Sequence, residues 1–175
     1  MTLCTNITNK DMIKILIFDW GDTVMRDFIQ YPGHMAYWPK VEAINGIKNA
    51  LKFLKNKYIL CIATNAKESD TKLMIKALER VNLKKYFDYF YSSNDLGYKK
   101  SNSNFFLTIA KNIDAKTSEC VMIGNDYKKD IIGAKLTGMK TILFNEKTIQ
   151  DDFCSADDII FSMDDLPEKI KNLDK

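Results

Sequence analysis

The chain has 175 residues, 46% of them hydrophobic and 28% charged, with 26 Lys and Arg against 23 Asp and Glu. This length excludes a second large domain, the composition excludes a disordered chain, and a net charge of +3 is too small to indicate a nucleic-acid partner. The apolar stretch at residues 12–20 stops well short of the roughly 18–20 residues a membrane span needs.

The first apolar run, IKILIF at residues 13–18, is nearly continuous, as in a strand covered on both faces. A loop rich in Pro, Gly and aromatics follows at residues 31–39, and then Ile44, Ile47, Ala50, Leu51 and Leu54 recur at helical spacing. YILCIA at residues 58–63 reads as a second strand. The next helix, with its start signal at Ser69, carries Leu73, Met74, Ala77, Leu78 and Val81 on one face. A third strand falls at residues 89–92, and a helix beginning at Ser101 or Ser103 presents Phe105, Phe106, Ile109 and Ala110. CVMIG at residues 120–124 is the fourth strand. A helix through Ile131, Ile132, Ala134 and Leu136 is expected to stop at Gly138, with TILF at residues 141–144 and IIF near Ile159 as the last strands. Alternating units of this size imply one α/β domain over residues 1–175. The expected fold is a doubly wound, Rossmann-like, mainly parallel sheet of five to six strands with helices on both faces.

The opening MTLCTNITNK is polar and shows no secretory pattern. Cys4, Cys61, Cys120 and Cys154 form no C-x-x-C pair, so the expectation is core cysteines in a reduced, cytoplasmic protein rather than a zinc site or disulfide framework.

In open parallel sheets the ligand sits beyond the carboxyl ends of the strands, so the residues that follow each apolar run are the candidates for chemistry. Strand one leads into Asp19, with Asp22 and Thr23 close behind. Strand two leads into Thr64 and Asn65, strand three into Lys99 and Lys100, and strand four into Asn125, Asp126 and, one turn later, Asp130. Carboxylates, a hydroxyl and a lysine converging on one edge suit a divalent cation and a phosphate, because hard oxygen ligands hold magnesium and the lysine offsets charge. A carboxylate can also act as nucleophile and form an aspartyl phosphate; Asp19 is the natural choice.

Four segments in order, ILIFDWGDTV, IATNA, LGYKKSNSNFF and VMIGNDYKKDIIGAKLTGMKTILF, resemble the haloacid dehalogenase superfamily over nearly the whole chain. Most of its members are magnesium-dependent phosphatases that work through an aspartyl phosphate. The resemblance implies Asp19 as nucleophile and metal ligand, the Gly21 carbonyl as a second ligand, and Asp126 and Asp130 around the magnesium ion. Asn125 stands in an alternative register for the first acid. Thr64 is implied as the phosphate-binding hydroxyl with Asn65 beside it, and Lys100 as the phosphate-binding lysine, with Lys99 as the fallback because Ser101 replaces the usual proline.

Two departures qualify that likeness. The family's phosphatases usually carry an aspartate two residues after the nucleophile as general acid and base, and Gly21 stands there instead. Proton donation typically contributes about a hundredfold to ten-thousandfold, and Asp22 is a candidate substitute acting through a water. The second departure is the cap. A helix and strand occupy much of the chain between Asp19 and Thr64, which leaves only residues 24–43 as a flap or minimal cap. Its Tyr31, His34, Tyr37 and Trp38 either pack or touch substrate.

The expected activity is hydrolysis of a phosphoric monoester, small or macromolecular, with no membrane partner and with homo-oligomerisation left open. The alternatives are a weak or inactive phosphate-binding relative, motivated by Gly21, and a dehalogenase-type hydrolase, which the acidic pair disfavours.

Overall fold

In the computed structural model, which describes residues 12–65 and 70–174, six strands form one all-parallel sheet. They are β1 (Ile15–Phe18), β2 (Ile59–Thr64), β3 (Tyr89–Ser92), β4 (Cys120–Gly124), β5 (Lys140–Phe144) and β6 (Asp158–Ile160). Their spatial order is β3-β2-β1-β4-β5-β6. The chain runs outward from β1 to β3 and then crosses back to β4, so the order reverses between β1 and β4. A crevice opens at such a reversal, beyond the carboxyl ends of the strands.

Side chains alternate across each strand, and the two sets belong to two cores. Leu16, Phe18, Leu60, Ile62, Val121, Ile123 and Ile142 pack on one face with α1 (Ile47–Leu54), α2 (Thr71–Arg80) and α6 (Leu166–Leu173). Ile15, Ile17, Cys61, Ala63, Cys120 and Met122 pack on the other with α4 (Ser103–Asn112) and α5 (Gly133–Lys135). Burial on both faces is why the central strands read as continuous apolar runs.

The expected elements are present, with differences that have local causes. Asp70 caps α2, its carboxylate accepting the Leu73 N–H at 2.9 Å; Ser69 lies outside the described residues, as does Cys4. Asn102 caps α4, which settles its start at Ser103. The helix expected after β4 is not regular: residues 127–132 form a wide π-type turn that becomes α-helical only at Gly133. Asp126 starts that turn by accepting the Lys129 N–H at 2.9 Å, and the extra width keeps Asp130 pointed inward. Helix α6 and the single turn α3 (Ser93–Leu96) have no counterpart in the sequence reading. Cys61 and Cys120 are buried, whereas Cys154 is exposed, contrary to the expectation of a core position. No helix among the described residues is long and apolar enough to cross a membrane.

The segment at residues 24–43 is bolted to the body. Met25 bridges Ala43, and the Arg80 guanidinium donates to the carbonyls of Ala36 and Trp38 at 3.2 and 2.7 Å. Trp38 is buried in the larger core, in ring contact with Phe28 and Tyr31. Tyr37 is exposed, with the Lys76 ammonium 4.4 Å from its ring centre.

Candidate active site

Phe18 pairs with Ile62 of β2 and Ile123 of β4, so Asp19 emerges at the carboxyl edge between the two neighbouring strands. Its N–H still donates to the Ile123 carbonyl at 2.9 Å, which holds its backbone in line with the sheet. The chain then turns sharply, because the N–H groups of Val24 and Met25 both donate to the Trp20 carbonyl at 2.9 Å. This turn carries Gly21 and Asp22 to the wall of a cleft of about 270 Å³, with Thr23 buried behind them. Asp19, Gly21, Asp22, Thr64, Asn65, Lys100, Asn125, Asp126 and Asp130 all line it, so nearly every sequence candidate converges there.

Lys99 is the exception: it is exposed and is not among the lining residues. Lys100 is 1% exposed, and its ammonium sits between two carboxylates, hydrogen-bonded to Asp19 Oδ1 and, at 2.8 Å, to Asp130 Oδ1. Its backbone N–H donates to Asn65 Oδ1 at 2.9 Å, so the residue after β2 positions the lysine loop. Burial works against the ammonium, but the carboxylates of Asp130 and Asp19 outweigh it and hold Lys100 above the ordinary lysine pKa. For Asp130 burial is the largest influence and raises its pKa to about 7, with Lys100 pulling it down and Asp19 pushing it up.

The second Asp19 oxygen faces the Thr23 hydroxyl at 3.2 Å, and Asn125 Oδ1 lies at the same distance from that hydroxyl. One hydroxyl proton serves only one of the two acceptors at a time. Asp126 is partly exposed and bonded to Lys129, whose ammonium lies 2.5 Å from Asp126 Oδ2. Burial pushes the Asp126 carboxyl up, yet the hydrogen bonds from Lys129 prevail and keep it below the usual range. Both Asp130 oxygens are engaged: Oδ1 with Lys100, and Oδ2 as acceptor of the Asp126 N–H at 3.1 Å.

Two glycines make this packing feasible through close approach. A Cβ at Gly124 would lie 2.2 Å from Asp130 Oδ2, and one at Gly133 would lie 2.4 Å from the Lys100 carbonyl oxygen and 3.0 Å from Phe106. We expect Gly133→Ala to destabilise the fold by about 1–3 kcal/mol, because the obstacle is backbone and the core around it is full. Thermal unfolding of the variant against the parent checks this, and an unchanged midpoint would contradict it.

Sequence reasoning missed Asp27 and Lys129, which also line the cleft. Burial, then the charges of Asp22 and Asp19, raise the Asp27 pKa. Neither residue falls at the end of an apolar run, so neither carried a strand-end signal. None of the flap aromatics lines the cleft: Trp38 and Tyr31 pack in the larger core, whereas Tyr37 is exposed.

Beside the Lys100 ammonium and Thr23 hydroxyl on Asp19, the cleft offers the carboxylate of Asp126, the Gly21 carbonyl and the Asn125 amide oxygen, a set that fits a hard divalent cation such as magnesium. Among the described residues no three of His, Cys, Asp and Glu are gathered closely enough to form a cage. Asp126 and Asp130 are instead neutralised by Lys129 and Lys100.

Fold and cleft together define an open parallel-sheet α/β protein with Asp19, Thr64 and Lys100 lining a cleft at the sheet's switch point. Solved structures share the fold: a protein from Listeria monocytogenes serotype 4b superimposes with a TM-score of 0.80 at 24% identity, over 92% of this chain and 98% of that one. The 2-haloacid dehalogenase of Pseudomonas syringae pv. Tomato does so at 0.72 with 18% identity, over 92% and 99%. Sequence similarity over residues 1–144 shows that the chain belongs to the haloacid dehalogenase-like hydrolase family.

Among relatives, the ribulose-1,5-bisphosphate 5-phosphatase of Halopiger xanaduensis is 32% identical over 123 residues, covering 70% of this chain and 50% of that protein. The glyceraldehyde 3-phosphate phosphatase of Pyrococcus furiosus is 33% identical over 97 residues, covering 55% of this chain and 39% of that protein. The matches therefore span half or less of the length of these relatives.

Proposed function

We propose that this chain hydrolyses phosphoric monoesters through an aspartyl phosphate on Asp19, with magnesium as cofactor. The observation that carries the reading is the buried Lys100 ammonium, held between Asp19 and Asp130 at the sheet's switch point. An ammonium has three donors; among the described residues two rest on carboxylates, which leaves the third for a phosphoryl oxygen. Thr64 and Asn65, at the end of the adjacent strand, flank the same space. The names of the relatives support a phosphorylated substrate, and sugar phosphates are the first small compounds to try.

Asp19 is a prepared nucleophile because Lys100 and Thr23 orient its two oxygens before substrate arrives. Attack on phosphorus forms the Asp19–phosphoryl bond and expels the alcohol, and water then cleaves the acyl phosphate to restore the carboxylate. Magnesium, when bound, supplies the positive charge that offsets repulsion between carboxylate and phosphate. Asp19, the Gly21 carbonyl and Asp126 would hold it, with Asn125 adjacent. Sequence reasoning put Asp130 directly around the metal. Its engaged oxygens favour a positioning role instead, one that aims Lys100 and braces the Asp126 backbone.

The flap is packed down and the cleft mouth stays open, in keeping with a capless reading in which a small or a protruding macromolecular phosphate has access. Phosphate release from acetyl phosphate and p-nitrophenyl phosphate, with and without a chelator, tests the proposal. Chelation should remove nearly all turnover, and added magnesium should restore it. Turnover indifferent to the chelator would overturn the metal assignment. No phosphate release from any phosphate ester would favour the phosphate-binding alternative, and metal-independent halide release from a 2-haloacid would favour the dehalogenase one.

A further inference from the structure

We propose that Asp27 is the general acid and base of this site, filling the role that Gly21 leaves without a side chain; the inference rests on the phosphatase reading above. A Cβ built on Gly21 would have as its three nearest neighbours Asp27 Oδ2 at 3.7 Å, Cβ at 3.8 Å and Cγ at 4.0 Å. The space a side chain at position 21 would enter is thus faced by one carboxylate, delivered from six residues further along the chain. That carboxylate lines the same cleft as Asp19 and Lys100 and is open to solvent at the mouth, where a leaving alcohol departs and a water arrives.

The backbone holds Asp27 there from several directions. The Asp22 N–H donates to the Met25 carbonyl at 2.7 Å, and Asp22 Oδ1 accepts the Asp27 N–H at 3.1 Å. Arg26, next to it, makes a two-pronged pair with Glu146 at 2.6 and 2.8 Å, and its N–H donates to the Glu42 carbonyl at 2.8 Å. The same contacts count against Asp22 as the proton carrier. One Asp22 oxygen lies 3.8 Å from the Arg26 guanidinium and the other 3.9 Å from the Lys147 ammonium, so each of its oxygens already faces a cation. Asp22 is a positioning residue in this scheme.

The steps balance as follows. As an Asp19 oxygen bonds to phosphorus, the bond from phosphorus to the alkoxy oxygen breaks, its electron pair goes to that oxygen, and the Asp27 carboxyl proton joins it to give the alcohol. Water then attacks the aspartyl phosphate, the Asp27 carboxylate takes a water proton, and the bond from phosphorus to Asp19 breaks. Inorganic phosphate leaves, with Asp19 ionised and Asp27 protonated as at the start.

The test is the leaving-group dependence of the first step in Asp27→Asn, read in single turnovers. Asp27→Asn should lower the rate on an alkyl phosphate such as glycerol 2-phosphate by about a hundredfold or more. The p-nitrophenol burst should fall by less than about tenfold, since that phenolate departs without a proton. Gly21→Asp combined with Asp27→Ala moves the carboxylate to the neighbouring position, where the contacts above leave room for it, and should recover much of the alkyl rate. Equal loss on both substrates, or no selective loss, overturns the proposal. So does a selective loss in Asp22→Asn that is absent from Asp27→Asn. If the parent protein releases p-nitrophenol and Asp19→Asn does not, the phosphatase reading stands whatever Asp27 does; if the parent releases none, both readings fall.

Discussion

Asp19→Asn should lower phosphate release by on the order of ten-thousandfold or more, because an amide does not replace the anionic nucleophile. The substitution is nearly isosteric: its one oxygen can still accept from Lys100, while its NH2 can donate to the Thr23 hydroxyl in place of the second carboxylate oxygen. Lys100 also retains Asp130, so the fold should survive and the loss should be chemical. Rapid acid quench with a labelled phosphate donor separates the causes: the parent should carry label on Asp19, and the variant should carry none. Turnover within tenfold of the parent would remove Asp19 from the chemistry.

Lys100→Met should damage both stability and activity. Among the described residues the ammonium is the one cation bonded to Asp130, whose side chain is 2% exposed, and removing one partner of a buried ion pair typically costs about 3–5 kcal/mol. For a chain of this length that corresponds to a fall of roughly 6–20 °C in melting temperature. In the metal-free protein the penalty should depend on pH. Burial and Asp19 already raise Asp130 above its unfolded value, and loss of Lys100 removes the influence that pulls it back. A carboxyl raised in the folded state contributes stability that is fully present below its unfolded pKa and is lost as pH rises through the folded value. The variant should therefore sit closer to the parent at pH 5 than at pH 8, as thermal melts at the two values would show. A penalty that grew toward acid would contradict this charge arrangement.

Much of the fold was legible because its signals are local. Runs such as residues 13–18 and 120–124 are apolar on both faces, and the face of α1 repeats at helical spacing, so each element announced itself within a few residues. Helix α6 had the same kind of signal in Leu166 and Ile170, with Pro167 in its first turn. Its short length and charged flank hid it. The irregular turn after Asp126 had no such marker; it carries Asp130 onto Lys100, a partner 30 residues earlier in the chain.

The sequence by itself determined the alternation of strands and helices, the ends at which Asp19, Thr64 and Asp126 stand, and the empty place at Gly21. Only the tertiary structure put Lys100 rather than Lys99 on the cleft wall, bonded both Asp130 oxygens to Lys100 and the Asp126 backbone, and brought Asp27 beside Gly21. Strand ends follow from apolar patterning within a few residues. Which lysine is buried and which carboxylate faces a glycine depend on close approaches between segments far apart in the chain, where backbone turns and packing, rather than spacing, set the distance.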